Sequence, residues 1–162
     1  MRKLTRVLFS VLLVLFVAFS CGKEDPADDL IKEGDFNISE LTGSWEATSA
    51  VFNDGVSQSV EIIGEGGSLT MTVQSNGRFS LTISPAERTP YTVSGEFFWE
   101  KWEGKYYLAI IWDKYPDDWD TYGSTLTDTT FTLSGGFESG EYDFDNDGTF
   151  EICGISIAFV RI

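Results

Sequence analysis

The sequence predicts an all-β domain built from short antiparallel strands, and three observations lead to this prediction. Apolar and polar residues alternate with a period of two along most of the chain after Gly43. Turn-forming residues separate these segments, and an Asn-Gly pair at 76–77 lies between two of them. No segment after residue 42 has a helical apolar period of useful length. Short strands at even spacing are typical of an antiparallel barrel or sandwich.

The chain begins with the pattern of a secretory signal. Three basic residues lie in the first six positions, and an apolar run from 7 to 19 follows them. A membrane-spanning helix needs about 20 apolar residues, so this run is too short to span a bilayer. The small residues Ala18 and Ser20 lie at the end of this run, directly before Cys21. Residues 1–20 are therefore predicted to be a signal peptide that is removed from the mature protein.

The segment Ala18-Phe-Ser-Cys21 resembles the lipobox of bacterial lipoproteins, in which the cysteine thiol carries a diacylglycerol. It departs from the usual pattern, which has Leu three residues before the cysteine and a small residue two before. The resemblance implies a lipidated Cys21 and a lipoprotein of the outer membrane of a Gram-negative bacterium, on its periplasmic or cell-surface side. Ordinary signal cleavage, which leaves Cys21 as a free thiol, is the alternative.

Two segments follow the signal. Residues 21–38 are polar and acidic and are predicted to form a flexible tether. Residues 39–162 are predicted to form the β-domain. Alternation predicts eight strands in it, at 45–51, 60–62, 69–73, 79–83, 91–99, 106–112, 131–133 and 155–159. The pair at 76–77 predicts a tight hairpin turn, because both residue types accept positive φ.

Composition excludes several classes of function. The chain has 11 basic and 26 acidic residues and a net charge of −15, which excludes nucleic acid as a partner. It has no histidine, so mechanisms that need a histidine base or ligand are excluded. It also lacks a phosphate-binding glycine loop and a nucleophile elbow. We therefore expect no enzyme activity, and no motif points to a protein partner.

The segment Leu41-Thr-Gly-Ser-Trp45 resembles the Gly-x-Trp motif of lipocalins, carried here by Gly43 and Trp45. Arg161 lies where that family places a cation against the tryptophan at the closed end of the barrel. The whole pattern is similar to the small lipocalin-like lipoproteins of Bacteroidota. The resemblance implies an eight-stranded, calycin-type barrel that binds a small hydrophobic molecule. Thr127-Asp128 is a poor match to the second lipocalin motif.

An apolar set of residues is predicted to face the barrel interior. It comprises Met71, Phe79, Leu81, Phe97, Leu108, Ile110, Phe131 and Phe159. An eight-stranded barrel can either hold one small ligand or be filled by its own side chains. These residues line a ligand pocket in the first case. In the second they are a packed core, and the protein is an accessory or structural envelope lipoprotein.

Two further clusters are candidate sites. Asp143, Asp145, Asp147 and Glu151 alternate around a glycine in a pattern that offers oxygen ligands to calcium. An EF-hand is excluded because its flanks are predicted to be strands, and an acidic hairpin turn without metal is the alternative. The segment 112–122 is predicted to be a loop rich in aromatic and acidic residues. Its aromatic side chains are candidates for stacking on a glycan, or for closing over the core: Trp112, Tyr115, Trp119 and Tyr122.

Overall fold

The computed structural model describes residues 30–162, which form a closed antiparallel β-barrel preceded by a short 3₁₀ helix, Ile38–Leu41. The predicted signal peptide, Cys21 and the first part of the tether lie outside the described residues. The strands are β1 (Gly43–Asn53), β2 (Ser59–Glu61), β3 (Ser68–Val73), β4 (Arg78–Ser84), β5 (Tyr91–Trp102), β6 (Lys105–Trp112), β7 (Asp120–Leu126), β8 (Thr130–Ser134), β9 (Gly140–Tyr142) and β10 (Glu151–Arg161). No helix within 30–162 has the length and apolarity needed to cross a membrane.

Strand pairing closes the barrel. The wall order is β1, β3, β4, β5, β6, β7, β8 and β10, and β10 returns to pair with β1. All of these pairs are antiparallel. The two remaining strands are short appendages, since β2 pairs with the end of β1 and β9 with the start of β10. The predicted all-β fold with eight antiparallel barrel strands is confirmed.

One wall strand differs from the prediction. The predicted strand at 60–62 corresponds to β2, which pairs with only three residues of β1 and does not form part of the wall. The eighth wall strand is β7, whose first residues lie in the segment predicted to be a loop. Tyr122 is the only buried side chain among its seven residues. The apolar alternation on which the prediction depended is therefore almost absent from β7.

The predicted hairpin turn joins β3 to β4, but only one of its two residues has the expected positive φ. Gln74 N–H donates to the Arg78 carbonyl at 2.8 Å, and Gly77 N–H donates to the Gln74 carbonyl at 2.9 Å. Gly77 has a φ of +91°, whereas Asn76 does not have a positive φ. This is a three-residue loop with a left-handed glycine, the second common hairpin geometry, instead of a two-residue turn.

The segment before the barrel is packed against it, which corrects the predicted extent of the tether. Trp99 N–H donates to the Ile31 carbonyl at 2.8 Å, and the Trp99 indole donates to the Phe36 carbonyl at 3.0 Å. Gly34 lies so close to the Trp99 ring that a Cβ would be 2.4 Å from a ring carbon. Lys32 pairs with Glu96 at 2.6 Å. Residues 30–38 are therefore part of the folded unit.

Cys153 lies within β10, is fully buried, and is the one free cysteine among the described residues. Burial raises the pKa of its thiol to about 12. At neutral pH the thiol is therefore protonated, and it packs as a small apolar side chain.

Candidate functional site

The two ends of the barrel are built differently, and the closed end is sealed by Trp45 and Arg161. The Trp45 side chain is fully buried, and the Arg161 guanidinium carbon lies 4.1 Å from the centroid of its ring. The same guanidinium donates to three backbone carbonyls, those of Glu40 at 2.7 Å, Thr42 at 2.6 Å and Asp128 at 3.2 Å. Arg161 therefore ties the last strand to the entry of the first and to the turn before β8.

Gly43 and Leu41 complete this end of the barrel. Gly43 has a φ of +133°, and a Cβ there would lie 3.1 Å from Arg161 Nη1. Both the backbone conformation and the space beside the guanidinium therefore favour glycine. The Trp45 indole donates to the Leu41 carbonyl at 2.8 Å, so its polar atom is satisfied despite complete burial. The structure thus brings together the three residues that the sequence singled out for this end.

The half of the barrel next to the closed end is filled by a chain of aromatic contacts. Phe79 stacks on Phe97 at 4.4 Å between centroids, Phe97 meets Phe131 at 6.0 Å, and Phe131 stacks on Phe159 at 5.9 Å. This corrects the predicted ligand pocket, because seven of its eight members belong to the packed core and do not line the cavity at the open end. They are Met71, Phe79, Phe97, Leu108, Ile110, Phe131 and Phe159.

A cavity of about 650 Å³ occupies the open end of the barrel. Leu81 is the one member of the predicted pocket set that lines it. The other apolar wall residues come from the same ends of neighbouring strands: Phe52, Ile83, Val93, Ile155 and Ile157. Ligand sites of proteins are typically clefts of about 300–1,000 Å³ with mostly apolar walls. In size and lining, this cavity is the candidate site of the molecule.

The aromatic residues of 112–122 divide between the cavity rim and the core. Trp112, Tyr115 and Trp119 border the cavity. Tyr122 does not, since it is only 2% exposed and its hydroxyl donates to the Ser139 carbonyl. It therefore cannot stack on a glycan, and its place in the predicted glycan set is corrected. The physical reason is that Tyr122 belongs to β7 and points into the barrel.

Two ion pairs hold charged residues of the rim. Asp113 pairs with Arg78 at 2.8 Å and also accepts a hydrogen bond from the Ser94 hydroxyl, and these contacts lower the pKa of Asp113. Lys114 pairs with Glu141 at 2.6 Å. Burial alone would raise the pKa of Glu141, but its contacts with Lys114 and with the Tyr115 hydroxyl together outweigh burial and lower it. Both carboxylates are therefore ionised at neutral pH and already have a cation beside them.

Asp120 is a rim carboxylate that lacks such a partner, and it is partly buried. Burial raises the pKa of Asp120, and the nearby negative charges of Asp118 and Glu138 raise it further, against a hydrogen bond from Trp112. Within residues 30–162, none of these three carboxylates forms an ion pair with a lysine or arginine. Asp120 has no distinguishing signal in the sequence, because it is one of 26 acidic residues.

Tyr91 is a second cavity residue that the sequence did not single out. Its hydroxyl is buried and has no hydrogen-bond partner among the described residues. Burial raises the pKa of Tyr91 well above its usual range, so the hydroxyl stays protonated. Buried hydroxyls normally have a partner, so this one is an exception among the described residues. The one feature of the sequence that pointed to Tyr91 is its position at the start of the predicted strand 91–99.

The acidic loop between β9 and β10 gathers three of the predicted calcium ligands. Carboxylate oxygens of Asp143, Asp145 and Asp147 lie within 4.8 Å of one another. Glu151 is not a member of this group, and its carboxylate accepts the Phe144 N–H at 3.0 Å. Three oxygen donors at this separation fit part of the coordination shell of a hard cation. Calcium binding stays a prediction.

Calcium is predicted to raise the melting temperature of the wild-type protein by a few degrees, and Asp145→Ala should abolish the increase. A cation that binds only the folded state stabilises it by mass action. The measurement is thermal unfolding in calcium and in chelator. Asp117→Ala, which removes an exposed carboxylate outside the loop, is the matched control. Equal melting temperatures of the wild type in calcium and in chelator would contradict the prediction.

Comparison with known proteins adds two structural similarities. No protein-family model matches the chain, and no curated protein matches it. A solved lipocalin-like protein from Bacteroides uniformis is similar at 18% identity and a TM-score of 0.40, over 76% of this chain and 99% of that one. A redesigned β-barrel is similar at 13% identity and a TM-score of 0.38, over 77% of this chain and 94% of that one. The description of the fold rests on the strand pairing given above.

Proposed function

We propose that this protein is a membrane-anchored binding protein that holds a small hydrophobic molecule in the cavity at the open end of its barrel. The observation that carries the proposal is the cavity of about 650 Å³ with apolar walls, in a barrel whose other half is tightly packed. Apolar surface buried by a ligand contributes about 25 cal/mol per Å². The proposed role is binding without catalysis.

The division of the barrel bears on the alternative function, that of an accessory envelope protein with a filled barrel. Aromatic contacts fill the closed half, as that alternative requires. The open half is lined by aliphatic side chains such as Leu81 and Ile157 and by aromatic ones such as Phe52, and a cavity lies between them. Empty space of this size is unusual in a protein interior that serves packing alone. This contrast favours binding over a purely structural role.

The anchor belongs to the proposal as well. We propose that lipidated Cys21 holds the protein on the outer membrane of a Gram-negative bacterium, on its periplasmic or cell-surface side. The described chain starts at Leu30, and Ile31 and Lys32 contact the end of β5 at the closed end of the barrel. The chain therefore enters the barrel from the end opposite the cavity.

Binding is tested with the neutral apolar fluorophore N-phenylnaphthylamine, titrated into residues 30–162, which contain the whole barrel and its sealing segment. We expect saturable binding at one site. Leu81→Trp should weaken it by at least about tenfold, because the larger side chain fills the cavity. Val93→Trp fills the same space from the neighbouring strand.

The matched control for these variants is Thr72→Trp, which places the same side chain on the exposed outer face of β3. Its affinity for the fluorophore should equal that of the wild type. Circular dichroism checks that each variant keeps its β-structure. A wild-type barrel that shows no saturable binding, or folded Leu81→Trp and Val93→Trp variants that bind as tightly as the wild type, would overturn the proposed function.

A further inference from the structure

The charge around the cavity mouth is strongly one-sided. Five carboxylates line the cavity, and they belong to Asp113, Asp118, Asp120, Glu138 and Glu141. Among residues 30–162, Lys114 is the only basic residue that lines it. Because the local dielectric constant is low at the edge of an apolar cavity, unbalanced charge there has a larger effect than on an open surface.

The ion pairs of the rim reduce this set to three carboxylates. Lys114 forms an ion pair with Glu141, and Asp113 forms one with Arg78. Asp118, Asp120 and Glu138 have no cationic partner among the described residues. Of the three, Asp120 alone is partly buried, and the exposed two are close enough to raise its pKa. A cation beside Asp120 would relieve both its desolvation and this repulsion.

An organic cation fits this arrangement better than a metal ion. The one group of acidic side chains that converges as metal ligands within residues 30–162 is that of Asp143, Asp145 and Asp147. The free carboxylates of the rim do not converge in this way, so they do not form a coordination shell. Directly below them lie the apolar walls of the cavity, including Leu81 and Ile155. The site thus offers a negative rim above an apolar interior.

We infer that the molecule held in the cavity is a cationic amphiphile, with its apolar body inside the barrel and a positively charged amine at the rim beside Asp120. This inference rests on the proposed function and specifies its ligand class. Asp120 is the principal counter-ion, and Asp118 and Glu138 add to the negative potential around the amine. The Tyr91 side chain contributes to the wall of the same cavity.

The inference is tested with three ligands that share one alkyl chain and differ in charge: decylamine, decanol and decanoate. Each displaces N-phenylnaphthylamine from residues 30–162 at neutral pH and low salt, below its aggregation limit. We expect decylamine to bind at least about tenfold more tightly than decanol, and decanoate more weakly than decanol. In Asp120→Asn the preference for decylamine should fall to within about twofold, with the affinity for decanol unchanged.

Asp117→Asn is the matched control, because it removes the same charge from an exposed position that does not line the cavity. It should keep the preference for decylamine, which separates a local counter-ion from the effect of net charge. Glu138→Gln is the second rim variant and should reduce the preference less than Asp120→Asn does.

Failure of the inference and failure of the proposed function give different results. Equal binding of decylamine and decanol by the wild type, or an unchanged preference in Asp120→Asn, overturns the cationic ligand and leaves the apolar site intact. The absence of any displacement by all three ligands, together with no binding of the fluorophore itself, overturns the proposed function.

Discussion

Trp45→Ala is expected to lower the free energy of unfolding by about 3–5 kcal/mol, the range for removing a large aromatic side chain from a core. Trp45 is completely buried at the closed end, and its ring lies 6.0 Å from that of Phe131. Its removal leaves a cavity beneath the Arg161 guanidinium and takes the indole donor from the Leu41 carbonyl. The remaining side chains are held by the closed wall and cannot collapse to fill the space.

Urea denaturation followed by circular dichroism measures this loss. Trp102→Ala is the matched control, because Trp102 is 61% exposed and its ring lies 6.4 Å from that of Tyr107. That exchange should change the free energy of unfolding by less than about 1 kcal/mol. Similar losses for the two variants would show that Trp45 does not close the barrel. Trp45→Phe should fall between wild type and Trp45→Ala, since it keeps part of the volume.

Much of the fold could be predicted because alternation reports directly on burial in a sheet. Met71 and Leu81, for example, sit at alternate positions of their strands and face the interior, as the pattern predicts. The same signal failed at β7, where polar residues surround Tyr122. It also could not separate β2, a short appendage, from a wall strand of the barrel. Alternation identifies the face of a strand, and it does not identify the partner strand.

The candidate site could be predicted only in part, because inward direction does not give depth along the barrel axis. Phe97 and Leu81 both point inward, yet Phe97 is in the aromatic packing and Leu81 lines the cavity. Whether an inward-facing residue packs in the core or lines the cavity depends on the register of the neighbouring strands. Leu81, for example, lies opposite Val93. Asp120 became distinctive for a related reason. It is distinctive because it has no cationic partner and lies near Asp118 and Glu138, and both features depend on the tertiary structure.

The construction of the closed end explains how the protein can keep a cavity at the other end. A barrel with space in one half loses packing there, so the other half must supply the stability. The segment from Ile31 to Leu41 adds buried side chains and hydrogen bonds at the closed end, with Ile38 and Leu41 fully buried. Substitutions at the two ends should therefore have different effects. Those at the closed end should change stability, and those at the open end should change binding.

Arg161→Met is the substitution that tests this separation most directly, and it is expected to lower the free energy of unfolding by about 2–3 kcal/mol. The methionine keeps much of the side-chain length but loses the three hydrogen bonds to backbone carbonyls and the contact with the Trp45 face. Arg161→Lys should lower the free energy of unfolding by about half as much. Its ammonium keeps the charge but lacks the planar guanidinium that reaches three carbonyls at once.

Arg78→Met is the matched control for Arg161→Met, since it removes the same group from an ion pair that is 39% and 40% exposed at its two side chains. Exposed pairs contribute about 0–1 kcal/mol, so the free energy of unfolding of this variant should lie close to that of the wild type.

The double variant Trp45→Phe with Arg161→Met tests the coupling between the two side chains. Its loss of unfolding free energy should be smaller than the sum of the losses of the two single variants by about 0.5–2 kcal/mol, the range of a cation–π contact. Strict additivity would contradict a coupled pair. The affinity of Arg161→Met for N-phenylnaphthylamine should match that of wild type under conditions where the variant is folded, because the guanidinium lies at the end opposite the cavity.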